Sequence, residues 1–276
     1  MTTMECLYIN LDSAVARRES LEASFLLSAR PGWTLNRWPA TTAAQVEADN
    51  IEGRLPPAHK ACFLSHKALV TDHAARPGHL MVLEDDAQFG FRTCTLVDQI
   101  LSNNPELKWD VLWTDIAVTD PAGLLRFAKL RRELSARGDA LIIDLAQVSY
   151  AGATAYIIRE GAKARVAEML AENGAIDIPY DLRLRQLVYE GRLSGHVVFP
   201  YLTTISQHAF QSNIHVNTEN CNELIWNVFR RLSWWERDLD AEQAMIFEIM
   251  PQLCDLEASL YGLLLGATTT EAFRST

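Results

Sequence analysis

The sequence is short of cysteine, of cationic side chains and of long apolar runs, and each shortage excludes a class of protein. Its five cysteines form no CxxC pair, which predicts reduced thiols and neither a disulfide framework nor a zinc ribbon. No apolar stretch approaches the roughly 18 residues that indicate a transmembrane helix. The N-terminus lacks the basic and apolar segments of a signal peptide. We therefore predict a cytoplasmic protein whose only lipid contact would be peripheral, at the inner face of the membrane.

The charge balance is acidic and excludes binding to polyanions. Lysine and arginine number 25 against 35 aspartates and glutamates, a net charge of −10. A protein that binds duplex nucleic acid normally carries a basic domain, and attachment to anionic lipid also needs basic clusters. The 49% of hydrophobic residues and 22% of charged residues are typical of globular proteins.

Apolar runs alternate with helical stripes along the chain, which predicts an α/β sheet flanked by helices. We expect Asp12 or Ser13 to cap a first helix, Leu21, Phe25 and Leu26 to form its apolar stripe, and a second helix to run from about His59 to Ala75. The predicted strands are CLYINL, HLMVLEDDAQF, WDVLWTDIAV, ALIIDLAQV, ATAYIIRE and HVVFPYLTTI. The basic run from Leu124 to Arg137 is interpreted as a solvated helix face in preference to a binding site. A boundary near residue 220 separates an α/β domain, 1–220, from a helical extension, 221–276.

Three adjacent carboxylates, Glu84, Asp85 and Asp86, directly follow the apolar run Leu80 to Leu83. Because like charges at the end of a buried strand repel one another, they need a counter-cation. A hard divalent metal that keeps open positions for phosphate oxygens meets this need. The alternative is an acidic turn that only caps the next segment.

The pair Ser65-His66 lies within a predicted helix, HKACFLSHKALV. There His66 shares a face with Cys62, Leu69 and Val70, which favours a buried, hydrogen-bonded histidine. Ser65 and His66 cannot form a catalytic dyad, since adjacent helical residues point about 100° apart.

Taken together and in this order, the motifs resemble glycosyltransferase family 25, the lipopolysaccharide and procollagen galactosyltransferase group. The resemblance covers roughly Leu7 to Ile214. Its fragments are YINLDSAVARR, WPA, CFLSHKALV, MVLEDDAQF, WDVL, GATAYIIREGAKA, IPYDLRLRQL and ISQHAFQSNI.

The resemblance implies a GT-A-like fold, in which a Rossmann-type mixed sheet binds a UDP-sugar at its strand ends. It also implies transfer with inversion, usually of galactose and with Mn²⁺ (or Mg²⁺) as cofactor. The positions that match the family's donor-binding motifs are Asn10, Arg17, Ser65, His66, Glu84, Asp85, Asp86 and Gln207.

The expected mechanism assigns the remaining roles. A metal on Asp86 and Glu84 would stabilise the leaving UDP as a Lewis acid, with His208 either a further ligand or an ordinary loop histidine. Asp181, which matches the acidic residue of the late P-x-D segment, is the predicted base for the acceptor hydroxyl. Asp115, in the WTD segment, is the reserve candidate.

Several positions depart from the family pattern. Ala58-His59 stand where a G-E pair is usual, Thr114-Asp115 replace small residues, and Asn213 replaces an aspartate. They motivate the alternative of a catalytically degenerate protein of the same fold that binds a nucleotide sugar or a partner. A metal-dependent phosphohydrolase is disfavoured, because no second cluster with metal-ligand spacing accompanies the acidic triplet.

The C-terminal extension has apolar residues at three-four spacing from Ile246 to Ala267, the seam of helices that pack side by side. We expect this seam to pack against the same chain or to form a homodimer. Upstream, four aromatic residues lie among arginines, and they indicate either a membrane- or partner-facing patch or packing on the first domain. These are Trp226, Phe229, Trp234 and Trp235.

Overall fold

The computed structural model describes residues 3–172, 174–210, 221–244 and 260–262. Its strands are β1 (Met4–Asn10), β2 (Trp33–Pro39), β3 (His79–Glu84), β4 (Ala87–Phe89), β5 (Val111–Trp113), β6 (Ala117–Val118), β7 (Leu141–Asp144), β8 (Tyr150–Ala151), β9 (Ala155–Ile158), β10 (Gly195–Phe199) and β11 (Thr203–Ile205). Its helices are α1 (Val15–Ser28), α2 (Ala43–Ala48), α3 (Pro57–Asp72), α4 (Thr93–Asn103), α5 (Pro121–Arg137), α6 (Lys163–Ala171), α7 (Tyr180–Tyr189) and α8 (Cys221–Ser233). Short 3₁₀ turns lie at Glu160–Ala162 and Gln207–Phe210.

Seven strands form a mixed sheet in the order β2-β1-β3-β9-β5-β10-β7. The pairs β1–β2, β1–β3 and β5–β10 are parallel, whereas β9 is antiparallel to both of its neighbours and β7 is antiparallel to β10. The other four strands form two small antiparallel sheets, β4–β11 and β6–β8. The predicted α/β class, a mixed sheet flanked by helices, is confirmed.

The inner strands of the sheet are buried on both faces, which explains their near-continuous apolar sequences. In β1, Leu7 and Ile9 join the core cluster that also contains residues of α3, α6 and α7. Cys6 and Tyr8 face the opposite cluster, which contains residues of α1 and α4. Alternate side chains of a strand point to opposite faces, so both core clusters depend on this one strand.

The helix boundaries correct the sequence expectations in three places. Helix α1 begins after Ala14 without a side-chain cap, so neither Asp12 nor Ser13 is its N-cap. Leu26 is 74% exposed and does not belong to the buried stripe. Helix α3 begins two residues earlier than predicted, because Pro57 lies in its first turn, where a missing N–H costs nothing. It ends at Asp72, three residues before the predicted end.

The basic run forms α5, but its face is not uniformly solvated. Arg131 is 6% exposed and its Nη2 donates to the Trp234 carbonyl at 2.8 Å. Asp120 caps the helix through the Gly123 N–H, and Gly138 ends it in the left-handed region at φ 69°. One arginine of this run is therefore an internal contact between helices.

Helix α8 packs against β6, β11 and α5. Trp234 is 8% exposed, and Phe229 and Trp235 pack on the two core clusters. For these residues the packing alternative is confirmed over the membrane-facing one. Most of the predicted seam from 246 to 267 lies outside the described residues. No helix in the described ranges is long and apolar enough to cross a membrane.

Candidate active site

The acidic triplet lies at the carboxyl end of the central strand β3. Glu84 is the last residue of β3, and Asp85 and Asp86 form the turn into β4. A cavity of about 500 Å³ opens beside them, and Glu84, Asp86 and Asp181 line it. Ligands of open α/β sheets bind at this edge, so three predicted site residues share one cavity.

Asp85 is held by two side chains from the first strand and helix. Asn10, buried at the end of β1, donates to Oδ2 at 2.7 Å, and Arg17 of α1 donates to Oδ1 at 2.8 Å. Burial raises the pKa of Asp85, although Arg17 and Asn10 oppose the shift. Arg17 also donates to the His208 carbonyl at 2.9 Å and lies 3.6 Å from Asp86. The network fixes the turn that carries Asp86.

Within the acidic triplet, Asp86 is the residue with a buried oxygen that has no hydrogen-bond partner among the described residues. Burial, followed by the negative charge of Glu84, raises the pKa of Asp86 to about 7. Its Oδ1 is buried without a hydrogen-bond partner among the described residues. A bound cation would satisfy this oxygen and stabilise the ionised form. Asp86 therefore suits a divalent metal, although neither Asp86 nor His208 belongs to the described group of possible ligands whose atoms lie within 4.8 Å of one another.

Glu84 has its charge compensated differently. Burial raises its pKa, but the hydrogen bond and charge of His66, with Arg230 and Arg17, outweigh burial, so the net shift is downward. His66 Nε2 lies 3.3 Å from Glu84 Oε1, and its Nδ1 lies 3.0 Å from the Tyr156 hydroxyl. The ring stacks on Tyr180 at 4.2 Å. The expectation of a buried, hydrogen-bonded His66 is confirmed.

Cys62 is a residue that the functional prediction left out. It lines the cavity, and with His66 and Glu84 it brings ligand-capable atoms within 4.8 Å of one another. Burial, reinforced by nearby carboxylates, raises the pKa of its thiol well above the ordinary value. The available signal was its spacing of four residues from His66 on one helix face.

The two candidate bases lie in contrasting surroundings. Asp181, in the first turn of α7, accepts a hydrogen bond from the Gly152 N–H at 2.8 Å and lines the cavity. Asp115 is 1% exposed, and its Oδ2 accepts from Nη2 and Nε of Arg230 at 2.5 and 2.9 Å. Burial raises the pKa of Asp115, and Arg230 opposes the shift. Asp181 is therefore open to a substrate, whereas Asp115 is engaged in an internal ion pair.

The remaining predicted residues, Ser65, Gln207 and His208, are not among the described residues that line the cavity. Ser65 is buried, donates to the Ala61 carbonyl at 2.7 Å and accepts from the Thr41 N–H at 2.8 Å. Gln207 is exposed and His208 half-buried in the 3₁₀ turn after β11. Their roles as donor or metal contacts stay predictions, as does the base role of Asp181 or Asp115. Asn213 lies outside the described residues.

Three solved glycosyltransferase structures share distant similarity with the chain. GlyE of Streptococcus pneumoniae TIGR4 is 10% identical over 71% of this chain and 45% of its own, with a TM-score of 0.36. The bifunctional glycosyltransferase WbbM is 12% identical over 70% and 38%, with a TM-score of 0.40. Mouse xyloside xylosyltransferase 1 is 9% identical over 71% and 84%, with a TM-score of 0.38. The chain thus spans less than half the length of GlyE and WbbM.

The family comparison gives the firmer result. A search among curated proteins found no match. The model of glycosyltransferase family 25, described as an LPS biosynthesis protein, matches residues 4–183. This segment runs from β1 into α7 and contains the acidic triplet, the Ser65-His66 pair and Asp181. The chain belongs to glycosyltransferase family 25.

Proposed function

We propose that this protein transfers a hexose, galactose in the first instance, from a UDP-sugar to a glycan acceptor such as lipopolysaccharide, with inversion at the anomeric carbon. Family membership supports glycosyl transfer, and the family description supports the acceptor class. The observation that carries the proposal is the shared cavity of Asp86, with its unpartnered oxygen, and Asp181. Asp86 is suited to hold a cation beside the leaving diphosphate, and Asp181 is suited to accept the proton of the incoming hydroxyl.

The metal would be held by Asp86 and Glu84, with His208 as the proposed further ligand. Mn²⁺ or Mg²⁺ bound there would supply a Lewis acid for the charge that develops on the departing UDP. The protein contributes the fixed turn, because Asn10 and Arg17 anchor the neighbouring carboxylate Asp85.

Asp181 would accept the proton of the acceptor hydroxyl as that oxygen attacks the anomeric carbon. Its Oδ2 is occupied by the Gly152 N–H, which orients the carboxylate and leaves Oδ1 for the proton. The sugar–oxygen bond breaks on the opposite face, and its electron pair stays with UDP. A base in this role contributes about 10²- to 10⁴-fold to the rate.

The test is a donor panel. UDP release is measured with UDP-galactose, UDP-glucose and UDP-N-acetylglucosamine, each with lipopolysaccharide fragments as acceptor, in Mn²⁺ and in chelator. We expect release with one donor, in metal only, and a product whose anomeric configuration by NMR is inverted relative to the donor. No release with any donor, together with absent UDP binding, contradicts the proposal.

A second candidate is a catalytically degenerate protein that binds a nucleotide sugar or a partner. The observation that favours it is the Asp115–Arg230 ion pair, in which one acidic group near the cavity is already neutralised. Tight UDP binding by calorimetry without turnover of any donor would support this candidate over the enzyme.

A further inference from the structure

A buried arginine reaches the cavity from a part of the chain that the family model does not cover. Arg230 lies on α8, beyond the matched residues 4–183, and is 6% exposed. Its side chain lines the same cavity as Glu84, Asp86 and Asp181. Because a guanidinium stays charged at physiological pH, the lining of the cavity contains a permanent positive charge beside these three carboxylates.

The hydrogen bonds of Arg230 leave part of its donor set available. Nε and Nη2 both donate to one oxygen of Asp115, at 2.9 and 2.5 Å. A guanidinium has five N–H donors in a planar fork, so three, two on Nη1 and one on Nη2, have no partner among the described residues. The ion pair fixes the plane of the fork, which reduces the entropy lost when a further anion binds.

The other arginines near the site have different partners. Arg17 is committed to Asp85 and to the His208 carbonyl. Arg185 also lines the cavity, but its Nη1 donates to the Tyr150 carbonyl at 2.7 Å, and it lies over the Tyr189 ring at 5.8 Å. Arg230 is more deeply buried than Arg185, and its charge, like that of Arg17, acts on both Glu84 and Asp86.

We propose that Arg230 forms an anion subsite that binds the diphosphate of the nucleotide-sugar donor, and that Asp115 is the positioning residue that orients its guanidinium. Arginine matches phosphate oxygens through paired, charge-assisted hydrogen bonds. When the bond from the anomeric carbon to the diphosphate oxygen breaks, the electron pair stays on that oxygen. The N–H groups of Arg230 then stabilise the added charge. This inference rests on the proposed function.

The test compares ligands that differ only in the number of phosphate groups on the same nucleoside. UDP, UMP and uridine are titrated by calorimetry, in Mn²⁺ and in chelator, into wild type, Arg230→Gln and Arg230→Lys. We expect Arg230→Gln to weaken UDP binding about 10- to 100-fold while uridine binding is unchanged. Arg230→Lys keeps the charge and loses the fork, so it should fold like wild type and still weaken UDP selectively.

Arg231 provides the matched control. It is the next residue of α8, is 8% exposed and is paired with Glu242, and it is not among the described residues that line the cavity. Arg231→Lys should leave the preference for UDP over uridine at its wild-type value. Asp115→Asn should reduce that preference in the same direction as Arg230→Gln, which a purely structural role would not do.

The outcomes separate the inference from the proposed function. If wild type does not prefer UDP to uridine, the proposed function fails. If wild type has the preference and both Arg230 variants keep it, only the inference is overturned. Equal weakening of UDP and uridine, or a UDP-specific loss in Arg185→Lys alone, also overturns it.

Discussion

Asp86 and Asp85 are adjacent in sequence, yet within the described ranges only Asp85 has hydrogen-bond partners for both of its carboxylate oxygens. Asp85 accepts hydrogen bonds from Asn10 and Arg17, whereas Asp86 has a buried oxygen without a partner in the described part of the chain. Substituting these two residues should therefore have opposite effects on the metal-free protein.

We expect Asp86→Ala to abolish divalent-metal-dependent UDP binding, and Asp86→Asn to be nearly as damaging, because an amide cannot neutralise Mn²⁺. Calorimetry with UDP and Mn²⁺ measures this loss. Asp85→Asn is the comparison, since it should lower the melting temperature by disrupting the Asn10 and Arg17 contacts. Unchanged UDP affinity in Asp86→Ala would leave the triplet as an acidic turn.

Asp86 also predicts the pH dependence of the metal-free protein. Its pKa is raised to about 7 in the folded state, above the ordinary 3.8, so between these values the folded state binds more protons than the unfolded state. Its contribution to the free energy of unfolding therefore falls as the pH rises from about 4 to 7. Urea denaturation in chelator should show this decline in wild type and a smaller one in Asp86→Asn.

Asp181→Asn should separate catalysis from binding. The asparagine oxygen can still accept the Gly152 N–H, so the fold and the donor affinity should persist. The group can no longer take a proton, and turnover should fall about 10²-fold or more. Steady-state kinetics and UDP calorimetry are both required, because a joint loss of turnover and affinity would make Asp181 a positioning residue. Full turnover would shift the base role to Asp115.

At the scale of elements, the inner strands of the large sheet could be predicted from sequence, whereas of its two edge strands β7 could be predicted and β2 could not. The run from Leu80 to Leu83 is continuously apolar because β3 is buried on both faces. Strand β2 lies at the sheet edge and Trp33 is its one buried residue, so its sequence contains no such apolar run.

The acidic triplet could be singled out in the sequence because it directly follows an apolar run, and Asp181 because it matches the family's P-x-D segment. Arg230 could not be, because α8 approaches the cavity only through tertiary packing and its basic residues have the composition of a surface helix. The same holds for Arg131, whose burial depends on Trp234 and Trp235.

The connection after α8 is fixed by Trp234. The indole is 8% exposed, and its Nε1 donates to the Leu202 carbonyl at 3.3 Å. Trp234→Ala should lower the free energy of unfolding by about 3–5 kcal/mol through the cavity it leaves. Leu239→Ala, at a site 53% exposed, should change it by less than about 0.5 kcal/mol. Urea denaturation followed by circular dichroism compares them.

At the scale of the whole molecule, two truncations test separately how the ion pair of the C-terminal extension and its apolar seam contribute to stability. Glu242 is 2% exposed and its carboxylate accepts from Arg231 at 2.7 Å. A chain that ends at Leu239 leaves Arg231 buried without this partner, which costs about 3–5 kcal/mol. A chain that ends at Ala244 retains the pair. It should therefore unfold at a higher urea concentration than the chain that ends at Leu239.

The oligomeric state then depends on residues beyond 244. If the predicted seam joins two copies, light scattering should give a dimer for the full chain and a monomer for the chain that ends at Ala244. If the seam packs on its own chain, that truncation should aggregate. A truncated protein that stays monodisperse in an unchanged oligomeric state would contradict both arrangements.

The late entry of β9 into the centre of the sheet has a consequence for synthesis on the ribosome. Within the described ranges, the neighbours of β5 are β9 and β10, and β3 has β9 as its second neighbour. Both strands are thus made before their partner, and about 45 residues separate the end of β5 from the end of β9. At ordinary translation rates this interval lasts roughly two to nine seconds. During it the nascent chain exposes unpaired apolar edges, the feature that promotes aggregation and recruits chaperones.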